Sequence, residues 1–205
     1  MYREFANKQK RPLLIVLSGP SGVGKDTVLQ RMKELQLPFH FVITATSRPK
    51  RKGEIEGVDY FFVSADEFVA MIERDELLEH ALVYGEHKGI PRQQVRDAFA
   101  SGQDVIMRID VQGAETICQL YPEALLIFLS TQNEGELIAR LKARRTESEK
   151  KLQLRIETAR EELHKVELFD YCVVNADDQL DATVDAILAI IASEHRRTNP
   201  REVRL

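Results

Sequence analysis

Nine consecutive positions carry the clearest chemical signal in the chain: Gly19-Pro20-Ser21-Gly22-Val23-Gly24-Lys25-Asp26-Thr27. The first seven fit G-x-x-x-x-G-K, a spacing that wraps backbone N–H groups around phosphate oxygens. The glycines permit this because no Cβ stands between amide and anion. Lys25 adds a charge able to reach the outer phosphates, and a helix opening here turns its positive dipole end toward them. Such loops usually carry Ser or Thr after the lysine, where the hydroxyl ligates Mg²⁺. Here Asp26 follows, then Thr27. A carboxylate suits a hard cation, so Asp26 and Thr27 are the candidate metal residues, and nucleotide binding is expected to be unusually metal-dependent.

Two further groups suit anions. Arg48 and Arg51, with Tyr60 downstream, offer forked guanidinium donors and a hydroxyl to a phosphoryl group. Arg140 and Arg144, four apart, share one helical face. Taken alone, each group reads equally as a solvated basic surface. His40, His80, His87, His164 and His195 form no ligand-like cluster in sequence, and Cys118 and Cys172 match no metal or redox spacing.

The elements that must position these residues alternate. Apolar runs at 12–18, 104–110, 125–130 and 171–175 read as strands buried on both faces. Amphipathic helical patterns fall at 24–35, 111–120, 134–144, 149–166 and 179–194. This alternation predicts an α/β fold with a parallel sheet covered by helices on both sides. Residues 44–92 differ, with short strands expected at 59–63 and 81–85 and a helix at 65–73, and read as a small mixed α+β lobe inserted into the core. The tail from His195 to Leu205 is polar and contains Pro200, which predicts a surface position.

The order of motifs then identifies a family. After the glycine-rich loop come Thr44-Ala-Thr-Ser-Arg48-Pro-Lys-Arg51-Lys-Gly53-Glu54, Gly57-Val-Asp-Tyr60, Leu77-Leu-Glu79-His-Ala, Tyr84-Gly85 and Asp110-Val-Gln-Gly113-Ala. Ala139-Arg140 through Arg144, Arg155 and Val173-Val-Asn175 complete the order. From about Arg11 to Ile191 the chain resembles guanylate kinase. The resemblance implies a P-loop core with a five-stranded parallel sheet (11–43, 93–138 and 158–195), a GMP-binding lobe (44–92) and a helical lid (139–157). It implies transfer of the γ-phosphoryl of MgATP to GMP, with dGMP a possible acceptor. Lys25, Arg48, Arg140, Arg144 and Arg155 are then the catalytic candidates. Gly19 to Thr27 and Asn175 face ATP, while Thr44, Arg48, Arg51, Tyr60, Glu79, Lys88 and Asp110 face GMP, with Glu79 accepting from the guanine N1 and N2 groups. Asp110 also reads as a helix N-cap for the segment beginning at Val111.

Three positions depart from the family pattern. Lys88 stands where a phosphate-holding tyrosine is expected, Ile90 replaces a hydroxyl that touches guanine, and Arg108 replaces the first acid of an Asp-x-Asp strand end. Lys88 can still meet phosphate as a point charge, but Ile90 cannot replace a hydrogen bond, so Glu79 is expected to carry base recognition with less help. Arg108 could meet acceptor phosphate, or pair with Glu79 or Asp26.

Composition bounds the rest. The 205 residues are 43% hydrophobic and 30% charged with net charge −4, which suits a soluble enzyme and gives no electrostatic argument for nucleic-acid binding. No apolar run reaches membrane-span length, and the first ten residues lack an apolar signal segment, so a cytoplasmic monomer or homodimer is expected. Two other readings keep the fold: a kinase acting on ribose 1,5-bisphosphate, and a non-catalytic guanylate-kinase-like binding module. Glu79 weighs against the first, and the intact Gly24, Lys25 and lid arginines weigh against the second.

Overall fold

The computed structural model describes residues 11–83, 85–143 and 149–205. Its centre is β1 (Leu14–Ser18), every residue of which is buried. Successive side chains of a strand point to opposite faces. Ile15 and Leu17 therefore join one apolar cluster with Val28, Met32, Val184 and Ile187, while Leu14 and Val16 join another with Val95, Ala114 and Ile117. A strand with two covered faces cannot alternate in polarity, which is why it reads as an unbroken apolar run.

The loop 19–24 leads from β1 into α1 (Lys25–Glu34), which buries Val28, Leu29 and Met32. Then come β2 (Phe39–Phe41), β3 (Thr44–Thr46), β4 (Tyr60–Phe62), α2 (Ala65–Glu73), β5 (Leu77–Val83), β6 (Glu86–Pro91) and α3 (Arg92–Ala100). The core resumes with β7 (Asp104–Arg108), α4 (Val111–Leu120), β8 (Leu125–Ser130), α5 (Glu134–Ala143), α6 (Glu149–Leu163), a 3-10 turn at His164–Leu168, β9 (Tyr171–Val174) and α7 (Leu180–Glu194). Strands β2-β7-β1-β8-β9 form a five-stranded sheet, and each neighbouring pair is parallel. The expected α/β sheet is present.

A second sheet, ordered β4-β3-β6-β5, gathers the mixed segment. Its β3–β4 pair is parallel, and its β3–β6 and β5–β6 pairs are antiparallel. The strand expected at 81–85 instead runs from Leu77 to Val83, and β3, β6 and α3 have no counterpart in the sequence reading. β6 (EHKGIP) mixes charge, glycine and proline, and its pairing comes from β3 and β5 rather than from strand propensity. The first core strand begins at Leu14 rather than at Pro12, because proline has no N–H to donate and the Leu13 N–H goes to the Asp104 carboxylate at 2.9 Å.

The tail keeps its expected surface position at 196–200, 202 and 204, but it is anchored at one point that the sequence did not reveal. Arg201 is only 8% exposed, donating to Glu194 and to the Ala124 carbonyl and pairing with Asp170, while Val203 and Leu205 pack on the second apolar cluster. Polar composition concealed this, because the charges are neutralised by partners distant in sequence. Removing one member of a buried ion pair leaves the other charge stranded. Arg201→Ala should therefore lower the unfolding free energy by about 3 kcal/mol in a urea titration. Among the described residues, no helix is long and apolar enough to cross a membrane.

Candidate active site

The glycine-rich loop takes its shape from two left-handed residues where side chains would collide. Gly19 (φ 136°) lies against the Leu129 carbonyl of β8, and Gly24 (φ 91°) lies against the Asn175 amide. A Cβ at either position meets an atom with little room to yield. Gly24 also precedes α1, leaving the first-turn N–H groups without a side-chain cap. Those donors face the loop mouth, the feature that suits an anion.

Lys25 folds its ammonium onto the loop, donating to the Gly19 carbonyl and to the Pro20 carbonyl at 3.0 Å. Burial pulls its pKa down to about 8, while the charges of Glu162 and Asp26 support protonation. The loop is braced from behind by Asn175. Its Nδ2 donates to the Val23 carbonyl at 2.8 Å, and its Oδ1 accepts from the Thr183 hydroxyl. Arg140 strengthens the brace by donating to Glu136, to Asp177 at 2.7 Å and to the Asn175 carbonyl at 2.8 Å.

Across the cleft the second sheet supplies the other half. The Arg48 guanidinium, nearly fully buried, forks onto both carboxylate oxygens of Glu54 and lies 4.6 Å from the Tyr60 ring centroid. Arg51 is exposed, and its backbone N–H donates to Glu54 at 2.7 Å. The Thr44 hydroxyl is buried without a hydrogen-bond partner. Glu79 sits on β5 beside a register shift and is 4% exposed. Burial, reinforced by the charge of Asp110 and opposed by Lys88, raises its pKa to about 8. Gly113 makes room for this carboxyl, since a Cβ there would stand 2.5 Å from Glu79 Oε1. Burial likewise lowers the pKa of Lys88, and Arg108 lowers it further.

Asp110 caps α4 by accepting from the Gly113 N–H at 2.9 Å. Arg108, at the end of β7, pairs with Asp26 and lies 4.7 Å from the Tyr60 ring centroid. Of the partners open to Arg108 in the sequence, the structure thus selects Asp26. One acid went unnoticed. Glu162, near the end of α6, has a buried Oε2 without a hydrogen-bond partner. Burial raises its pKa, and Asp110 adds to the rise, while Lys25, the Ser21 N–H and Lys88 oppose it. Its sequence context, Arg-Glu-Glu-Leu, resembles any solvated helical face, so nothing local marks it.

A single cleft is lined by Pro20 to Thr27 except Val23, and across from them by Thr44, Arg48, Arg51, Tyr60, Glu79 and Lys88, with Arg108, Asp110 and Arg155 also on its wall. Arg155 approaches the Ser21 hydroxyl at 3.4 Å. Arg140 and Asn175 instead line an adjoining hollow with Gly22, Gly24 and Thr27, on the other side of the loop. Val23 is fully buried and contributes its carbonyl to the brace. Arg144 lies outside the described residues, as does Tyr84.

The oxygen set of Asp26 and Thr27 at the loop mouth fits Mg²⁺, which keeps most of its waters and takes few protein ligands. The Asp26 side chain is 65% exposed and so can turn toward a cation. Among the described residues no group of three or more His, Cys, Asp or Glu could hold an ion unaided.

Comparison with known proteins agrees with this construction. The family model described as "Guanylate kinase" matches residues 10–194. A protein named guanylate kinase 2, chloroplastic/mitochondrial, from Oryza sativa subsp. japonica is 50% identical over 95% of this chain and 69% of its own length. A guanylate kinase from Halalkalibacterium halodurans is 43% identical over 92% of this chain and 91% of its own. The crystal structure of guanylate kinase from Anaplasma phagocytophilum superposes with a TM-score of 0.77 at 30% identity, covering 93% of this chain and 89% of that one. With a glycine loop and a buried carboxyl facing one cleft, and a family model spanning nearly the whole chain, the protein belongs to the guanylate kinase family.

Proposed function

We propose that the chain is an ATP:GMP phosphotransferase, moving the γ-phosphoryl of MgATP to GMP to give ADP and GDP. The observation that carries this is the meeting, in one cleft, of a phosphate loop with the buried Glu79 carboxyl and with Arg48, Arg51 and Tyr60. A donor held by the loop and an acceptor held by the second sheet would present their phosphates to each other. Positioning and charge neutralisation are most of what phosphoryl transfer asks of a protein.

Residues 11–43, 93–138 and 158–195 form the donor core in this reading, 44–92 the acceptor lobe, and 139–157 the lid. The loop amides and Lys25 bind the outer phosphates of ATP, Lys25 exchanging the Gly19 and Pro20 carbonyls for phosphate oxygens. Asn175 and Arg140 hold the loop and border the hollow suited to the nucleoside end of ATP. Arg155 and Arg144 add positive charge where it develops during transfer. Arg48, Arg51, Tyr60 and Lys88 take the acceptor phosphate, and the unpartnered Thr44 hydroxyl is available to the same ligand. Glu79 and Asp110 face the base. Mg²⁺, when bound with ATP through Asp26 and Thr27, neutralises phosphate charge and orients the γ-phosphoryl group.

Guanine presents donors at N1 and N2, which an ionised Glu79 accepts, whereas adenine presents an acceptor at N1. ADP formation from MgATP should therefore occur with GMP and dGMP and be at least about 100-fold slower with AMP, UMP or ribose 1,5-bisphosphate. Preference for any of the latter would overturn the assignment of the acceptor.

A further inference from the structure

Arg108 occupies an unusual place between the two halves of the cleft. Its guanidinium pairs with Asp26 of the donor loop and at the same time lies over Tyr60 of the acceptor sheet. Arg48, already forked onto Glu54, lies over the same ring at 4.6 Å, so two guanidinium groups flank one tyrosine. The Arg108 side chain is 16% exposed, whereas Asp26 is 65% exposed. An ion pair with one solvated partner has little net strength and can be exchanged for a better one at small cost. A divalent cation is such a partner for the carboxylate, and an acceptor phosphate is such a partner for the guanidinium.

We propose that Arg108 is an additional ligand for the acceptor's phosphate, withheld by Asp26 until a metal-bound donor nucleotide fills the loop. Donor binding draws the Asp26 carboxylate away and leaves Arg108 to the acceptor, beside Tyr60 and Arg48. The two substrates then tighten each other's binding, through a pair absent from loops that carry Ser or Thr at this position. The donor site also gains protection against filling by a metal-free nucleotide, because Asp26 repels bare phosphates and stays with Arg108.

The proposal rests on the acceptor being GMP, and its test keeps the two ideas apart. GMP binding is measured by calorimetry, with no turnover, to the free protein and to the protein saturated with MgADP. In the wild type, MgADP should tighten GMP about tenfold. Asp26→Ser keeps a metal-binding oxygen but frees Arg108, so GMP should bind the donor-free protein about tenfold more tightly than wild type does, and MgADP should add almost nothing. Arg108→Ala should also abolish the effect of MgADP, this time with weak GMP binding in both states. If Asp26→Ser leaves donor-free GMP binding unchanged or weaker, Arg108 merely balances a charge and the proposal fails. Equal effects of MgADP on wild type and Arg108→Ala overturn it as well. A wild type that binds no GMP in either state removes the acceptor assignment itself, and this proposal with it.

Discussion

Lys25→Ala should lower kcat by about 10²- to 10³-fold while the protein remains folded, the loss expected when one strong donor to a transferring group is removed. The lysine stands at the head of α1 with its ammonium already inside the loop, bonded to the Gly19 and Pro20 carbonyls. It is therefore preorganised, reaching phosphate oxygens by a small change of partner rather than by ordering a free chain. Its pKa of about 8 leaves it mostly protonated at neutral pH despite burial. Alanine removes a buried charge together with its desolvation cost, so the unfolding midpoint should change little. Steady-state ADP formation at saturating MgATP and GMP, alongside a thermal melt, separates the two effects. A folded variant retaining more than a tenth of wild-type kcat would refute the role.

The second large effect belongs to Glu79. Glu79→Gln should reduce kcat/KM for GMP by about 10²-fold, since the amide accepts at one oxygen and turns its NH₂ against the other guanine donor. The pH dependence sharpens this expectation. In the free protein the carboxyl keeps its proton up to about pH 8, owing to burial and to Asp110. Guanine needs the ionised form, so kcat/KM for GMP should rise between pH 6.5 and about 8 in wild type, and that rise should vanish in the glutamine variant. Calorimetry in buffers of different ionisation enthalpy should register about one proton released per GMP bound at pH 7.

Stability follows from the same group with a definite sign. The folded carboxyl titrates near 8 and the unfolded one near its ordinary 4.5, so the folded state binds the extra proton between those values. Wild-type stability should thus fall as pH rises through this window. Glutamine has no proton to lose, and the variant should exceed wild type by a few kcal/mol at pH 8.5 and match it near pH 4. A residue that destabilises its own protein at working pH is the kind retained for what it recognises.

The sequence showed unequal parts of this molecule with unequal clarity. Strands β1, β7 and β8 were legible because two covered faces demand continuous apolar residues. The run at 171–175 also forms a strand, β9, but at the sheet edge, where Val173 is buried while Cys172 and Val174 are exposed, so the expected burial on both faces does not hold there. β2, β3 and β6 were not: Phe39-His-Phe41 and Thr44-Ala-Thr46 are too short to display a period, and β6 depends on neighbours for its pairing. The helix at Arg92–Ala100 buries only Val95 and Ala98, a stripe too narrow to stand out amid its polar residues. The C-terminal arginines looked like solvent-facing charge until Glu194 and Asp170 were found opposite Arg201.

By itself the sequence determined the phosphate loop and the order of motifs that resembles the family. The reason is locality: strand, glycines, lysine and helix follow one another within about twenty residues, so spacing alone dictates which amides converge. Tertiary structure alone decided that Arg108 meets Asp26, 82 residues away, and that Arg108 lies over the Tyr60 ring. It alone buried Glu79 near Asp110 and Lys88, brought Glu162 beneath the loop, and turned Arg140 toward Asp177 rather than into the main cleft. Charge partners and desolvation depend on through-space distance and burial, which residue spacing does not encode once the chain has crossed between two sheets.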